Sequence, residues 1–342
     1  MNKAIKILTF VLVLQVLLVV LTHLDQLKNN DSSHNNTLLA FDWSKIDGLR
    51  ISTSESASVL LKKKSEHEWF LPDYHNLPVD STKIDELLTK FKAIKTEWPV
   101  ATTSEATKRF EVSKDHFQRQ IAFLQGDTAQ STLITGTSPG YRKVHAKLDD
   151  QNAIYAIELS NFLASAVNDD WLKKQLFALD LNQVKSMSIA DIQLTKPDQE
   201  WLLAGLAAEQ KINHKSLQNL LDALSNFRVE SAFGPSVDAS ELENTVATLE
   251  LEVGSEKQTW VFYEPKEGAH FILKSTQNPV YFKVNRAEAE KLTQLQRNQL
   301  IEPKVIEPKV IEPEVEASTT PSTSMDPGIE PAPELIPALP TQ

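Results

Sequence analysis

The side chains able to do chemistry are spread thinly along this chain. Its eight histidines stand at positions 23, 34, 67, 75, 116, 145, 214 and 270, and no two of them show the spacing that puts a pair of imidazoles on one helical face. Zinc hydrolysis therefore finds no support. His67 lies between Glu66 and Glu68, as a general base would, yet the surrounding Lys and Glu residues ahead of Trp69 read as a solvated turn. His145 and His270 fall on strand-like segments at matching places in the two halves, where facing solvent or a sheet neighbour is the expected role.

Gly136-Thr137-Ser138-Pro139-Gly140 is the one glycine pair close enough to suggest a phosphate loop. It lacks the Lys-Ser/Thr that should follow and is flanked by strands rather than opening a helix, so it reads as a hairpin connection. Asp149-Asp150 and Asp169-Asp170 are paired carboxylates, but neighbours in sequence diverge on a turn, and the second pair suits a cap ahead of Trp171. Lys62-Lys63-Lys64, followed by Glu66 and Glu68, reads as a solvated hairpin end. There is no G-x-S-x-G elbow. With no cysteine, the chain also has no disulfide, thiolate metal site or thiol nucleophile. The sequence thus assigns no catalytic, cofactor-binding or metal-binding residue and predicts a protein that is not an enzyme.

The elements around these residues are more informative. The 342 residues suggest about two domains, and 41% hydrophobic residues suffice to bury real cores. A formal charge of -11 excludes nucleic-acid binding through the overall field. From Ile7 to Leu24 the chain is almost wholly apolar, with Lys3 and Lys6 before it and Asp25 after it. Such a segment, about 27 Å long as a helix, predicts a transmembrane signal-anchor over 1–28 with the remainder exported. No small-residue cleavage pattern follows it, and Gln15 reads as one tolerated amide. Residues 29–37 form a polar linker.

The body repeats itself after about 130 residues, giving units over 38–175 and 176–298. Trp69-Phe70-Leu71 precedes a helix pattern carrying Ile84, Leu87, Leu88, Phe91 and Ile94 and ending near Glu97. Trp201-Leu202-Leu203 precedes a second, with Leu217, Leu220, Leu221, Leu224 and Phe227, ending near Glu230. Two strand-like segments come before each helix, Ile46–Ile51 with Ser58–Leu61 and Val184–Ile189 with Asp191–Leu194. Four follow each: Gln120–Phe123, Thr132–Ile134, Lys143–Ala146 and Ile154–Ile157, then Thr248–Leu251, Trp260–Phe262, His270–Leu273 and Val280–Val284. Short connections favour antiparallel pairing. A short helix is expected to close each unit, around Asn161-Phe162-Leu163 and over Ala287 to Leu295. The predicted class is α+β, a transmembrane helix followed by two mainly antiparallel sheet-plus-helix units. Nine of the 17 prolines lie in 299–342, where Ile-Glu-Pro-Lys-Val recurs from Ile301, so this stretch is expected to be a disordered, extended tail.

Several stretches carry a family resemblance: Ile7 to Leu24, the run from Phe41 to Leu49, Trp69-Phe70-Leu71-Pro72, Val79 to Leu88, Gly136 to Tyr141, and Ile154-Tyr155. In order and spacing the chain resembles the bacterial domain of unknown function 4340 over about 38–297, with the Pro-rich tail departing from the pattern. The resemblance implies an envelope accessory of ABC-type export systems. The expected function is accordingly a non-enzymatic, single-pass inner-membrane protein with a periplasmic binding module. Its expected partners are the membrane, through one span, and proteins, with ABC-type transporter subunits as candidates. Two other readings stand beside it: a periplasmic enzyme acting on envelope polymers between the units, and a spacer from membrane to wall.

Overall fold

The computed structural model describes residues 37–303, except Glu97, Pro235, 237–241 and Glu267, together with Leu12 and Gln15. The chain divides into two units, Met1–Glu302 and Pro303–Gln342, and all the elements named below lie in the first.

Two eight-stranded antiparallel sheets make up the body. The first comprises β1 (Gly48–Ser52), β2 (Ser58–Lys63), β3 (Trp69–Leu71), β4 (Leu77–Pro78), β5 (Arg119–Gln125), β6 (Thr128–Thr135), β7 (Val144–Leu148) and β8 (Tyr155–Ile157), in the order β4-β3-β2-β1-β5-β6-β7-β8. The second comprises β9 (Val184–Ile189), β10 (Ile192–Thr195), β11 (Leu202–Leu203), β12 (Ser231–Gly234), β13 (Leu242–Val253), β14 (Glu256–Pro265), β15 (His270–Ser275) and β16 (Asn278–Asn285). Its order is β11-β10-β9-β13-β14-β15-β16-β12. In each sheet the chain steps outward from a first strand, passes through a helix, and returns on the other side of that first strand: β1 lies between β2 and β5, and β9 between β10 and β13.

Helix α1 (Ser81–Ala93) begins where the Asp80 carboxylate accepts the Thr82 N–H at 3.0 Å. It turns Ile84, Leu87 and Phe91 into the first core, against Leu49, Ile51 and Phe123. Among the smaller helices, α2 (Ser104–Arg109) contributes Ala106 to a separate cluster with Val112, Phe117, Ile134 and Ile154, and α3 is Asn168–Trp171. Helix α4 (His214–Ser225) is capped by Asn213, whose side chain accepts the Ser216 N–H at 3.1 Å. It packs with α5 (Arg286–Thr293) on the second core, whose largest fully buried side chains include Trp260, Phe227, Phe262 and Phe282.

The expected α+β class with a leading transmembrane helix is corrected. The architecture is mostly antiparallel sheet with few helices, and among the described residues no helix is long and apolar enough to cross a membrane. The segment Ile7–Leu24 lies outside the described residues apart from Leu12 and Gln15. The sheets exceed expectation because β3, β4, β11 and β12 run only two to four residues, too few to display a period of two. No helix forms at Asn161–Leu163. There the Ser160 hydroxyl accepts the Phe162 N–H at 3.4 Å and Asn161 bonds away from its own turn. Both main helices stop short of their expected ends, at Ala93 and Ser225.

The disorder expected from residue 299 does not hold over residues 299–302. A 3₁₀ turn over Arg297–Leu300 buries Leu300 completely, and Ile301 forms an antiparallel bridge with Ile212. The Asn213 N–H donates to the Leu300 carbonyl at 2.8 Å, and the Glu302 N–H to that of Lys211 at 2.9 Å. The repeated pentads after Pro303 lie outside the described residues.

Candidate functional site

At one end of the first sheet, three segments converge on Gly136. A Cβ there would lie 1.9 Å from the Phe110 carbonyl oxygen, so only glycine lets the end of β6 pass so close to the chain after α2. The Thr137 N–H then donates to that carbonyl at 2.9 Å, and the His145 N–H donates to the Thr137 carbonyl at 2.8 Å. From the third segment, Asn161 accepts the Thr135 hydroxyl proton at 2.6 Å and donates through Nδ2 to the Gly136 carbonyl at 3.1 Å and to Gln118 Oε1 at 2.7 Å. The His145 ring stacks on Phe110 with centroids 3.9 Å apart, and its Nδ1 lies 3.0 Å from the Thr137 hydroxyl and carbonyl oxygens. Burial, and secondarily Arg109, push the imidazole below its ordinary pKa, while the Thr137 carbonyl opposes the shift. This histidine braces a loop.

The braced frame holds two large side chains out in solvent, Tyr141 at 84% exposure and Phe162 at 92%. On the same frame the Arg142 guanidinium lies over the Tyr141 ring at 4.9 Å and that of Arg109 over Phe110 at 4.6 Å. Such a face offers both ring surface and positive charge to a ligand.

A second polar cluster joins the two sheets. The Tyr74 hydroxyl, in the β3–β4 turn, lies 2.7 Å from Asp169 Oδ1 and 2.8 Å from the Ala232 carbonyl oxygen, and accepts the Ala232 N–H at 3.0 Å. Burial first, then the Asp169 carboxylate, raise its pKa above that of an ordinary phenol. Lys83 donates to the Asp170 carbonyl at 2.6 Å, and Lys174 donates to the Glu230 carbonyl. Burial lowers the Lys174 pKa, with Asp169 opposing. Asp169 and Asp170 do not cap α3 but lie within its first turn, Val167 being the N-cap with no side-chain cap bond, and Ser165 occupies the second carboxylate at 2.5 Å.

The remaining candidates scatter. Glu66 and His67 lie in the β2–β3 turn and line a cavity of about 280 Å³ with Trp43, Trp69 and Asp85. Asp149 pairs with Lys114 at 3.0 Å, His116 faces Glu111 at 3.6 Å, and His214 opens α4. His270 is near Phe233, 5.9 Å between rings. Lys62 departs from the solvated reading: it lies 3.6 Å from both Asp47 and Asp127 and is largely covered. His23 and His34 are outside the described residues. Among the described residues no three metal-ligating side chains come together. Sequence reasoning missed Tyr141 and Phe162 as a surface; the available signal was two aromatics set in Gly-, Ser- and Asn-rich stretches, where no core-facing period surrounds them.

The family model described as a domain of unknown function, DUF4340, matches residues 69–248, more than half of the chain. The match begins at β3 and ends within β13, so it spans parts of both sheets. No curated protein and no solved structure matches the chain.

Proposed function

We propose, from the premise that the chain belongs to the DUF4340 family, that its body is a non-enzymatic protein-binding module serving a transport or envelope assembly of a bacterium. The observation that carries this reading is the pair Tyr141 and Phe162, almost fully exposed on loops that hydrogen bonds fix in place. Rigid exposed aromatics bury large area at little entropic cost, which is why such side chains anchor protein interfaces. The ionisable groups between the sheets, by contrast, are engaged with one another and with main-chain atoms, as the Tyr74 hydroxyl is with Asp169 and Ala232.

We read the two sheets as tandem copies of one unit. The corresponding orders β3-β2-β1-β5-β6-β7-β8 and β11-β10-β9-β13-β14-β15-β16 support this, as do the helices inserted before β5 and β13. The copies diverge at their margins, with β4 added to one and β12 to the other.

A photo-crosslinking amino acid placed at Phe162 in the full-length protein, activated in intact cells, tests the function. A reproducible adduct with an envelope or transporter protein, lost when Tyr141 is changed to Ala, is the expected result. No adduct at Phe162, or one no different from that formed by a probe at Lys215 on α4, would overturn it.

A further inference from the structure

The same corner of the first sheet gathers cations. Lys108 and Arg109 end α2, and Arg142 and Lys143 end the β6–β7 loop; all four are exposed, in a chain whose net charge is -11. None is in an ion pair among the described residues. The acids nearest in sequence do not neutralise them. Glu105, one turn earlier on α2, makes no ion pair, and Glu111 is taken by Gln118 at 3.0 Å and faces His116. Both guanidinium groups lie over aromatic rings, which occupies a flat face of each and leaves the N–H edges open. An arginine held this way has lost rotamer freedom in advance and presents a fork suited to bidentate contact with a carboxylate.

We infer that the face formed by Lys108, Arg109, Tyr141, Arg142, Lys143 and Phe162 receives an extended acidic segment of a partner protein, its carboxylates on the cations and its apolar side chains against the two aromatics. This rests on the protein-binding reading above and adds the chemistry of the partner. A small free anion would satisfy the charges but leave Tyr141 and Phe162 uncovered, whereas a peptide alternating acidic and aliphatic residues serves both. Charge complementarity of this kind steers encounter and sets specificity, and it weakens with salt.

The test is fluorescence anisotropy on the full chain with a labelled peptide of alternating Glu and Leu. A matched Lys and Leu peptide and phosphatidylglycerol vesicles serve as competing probes. Saturable binding of the Glu peptide is expected, weakening about tenfold or more between low salt and about 0.5 M. Arg142→Glu combined with Lys143→Glu should abolish it, Arg142→Gln with Lys143→Gln should leave an intermediate affinity, and Lys215→Glu on α4 should change nothing. Thermal midpoints of all variants separate lost binding from lost folding, and if the Glu pair unfolds, the Gln pair decides. Equal binding of the Lys peptide, indifference to both charge variants, or capture by vesicles alone would overturn the inference. An adduct at Phe162 that survives the charge-reversed pair would overturn the acidic partner and leave the binding function standing; absence of any adduct would remove both.

Discussion

One phenol hydrogen-bonds across the two sheets. Tyr74 reaches Asp169 and Ala232, 95 and 158 residues away in sequence, with a single hydroxyl. Replacing it by Phe would leave the Ala232 N–H and the Asp169 carboxylate short of a partner, a cost of about 1–3 kcal/mol measurable as a shift of the urea midpoint. The pH dependence has a definite sign. Because the folded pKa is raised, the folded state holds the phenolic proton after the unfolded state has released it. The stabilisation is therefore complete below about pH 10 and falls as pH rises beyond it. Tyr74→Phe should flatten that part of the alkaline stability profile, and an unchanged profile would show that the hydroxyl contributes nothing there. No local pattern could have announced this contact. The stacking of His145 on Phe110 is equally invisible to periodicity, since it depends on a glycine 26 positions after the aromatic ring's residue passing beneath that residue's carbonyl.

Among the elements, legibility follows length. Val184–Ile189 is a strand over the very span its alternation marks, and α4 buries Leu217, Leu220, Leu221 and Leu224 as its spacing requires. Strand β11, with two residues, and α2, with Ala106 its only buried side chain, offer no period to read. Leu88 shows the limit of pattern within a legible helix. It continues the apolar stripe of α1 but is only half-buried, packing against the margin of the core and lining the cavity beside Trp43. Leu221→Ala should therefore cost about 2–5 kcal/mol and Leu88→Ala distinctly less, as read by chemical denaturation. The 3₁₀ turn at the end of the body invites a paired truncation. A chain ending at Asn298 loses buried Leu300 and the Ile301–Ile212 bridge that a chain ending at Glu302 retains. The shorter should unfold at a clearly lower midpoint; equal midpoints would mean that the bridge and the buried leucine do not stabilise the body.

At the scale of the whole molecule, the two sheets do not keep their cores to themselves. Leu77 belongs by pairing to β4 of the first sheet, yet it is buried in the hydrophobic cluster of the second, and Leu172, ahead of the boundary that the sequence repeat suggests, joins it there. Equilibrium unfolding should accordingly appear as one transition by tryptophan fluorescence and by far-ultraviolet circular dichroism, and two separated steps would show that the sheets are independent. The placement of Leu77 also bears on synthesis. As the chain leaves the ribosome, the first sheet is complete once β8 has emerged, and it already holds out Leu77 and Tyr74 as a template on which the later half can close. The core of the later half takes in Leu77 and Leu172, whereas the first core draws on no residue beyond Trp171. A fragment of residues 173–302 should remain loosely packed when made alone and acquire sharp tertiary signals when a fragment of residues 37–172 is added, so that the body would assemble by complementation in one direction only.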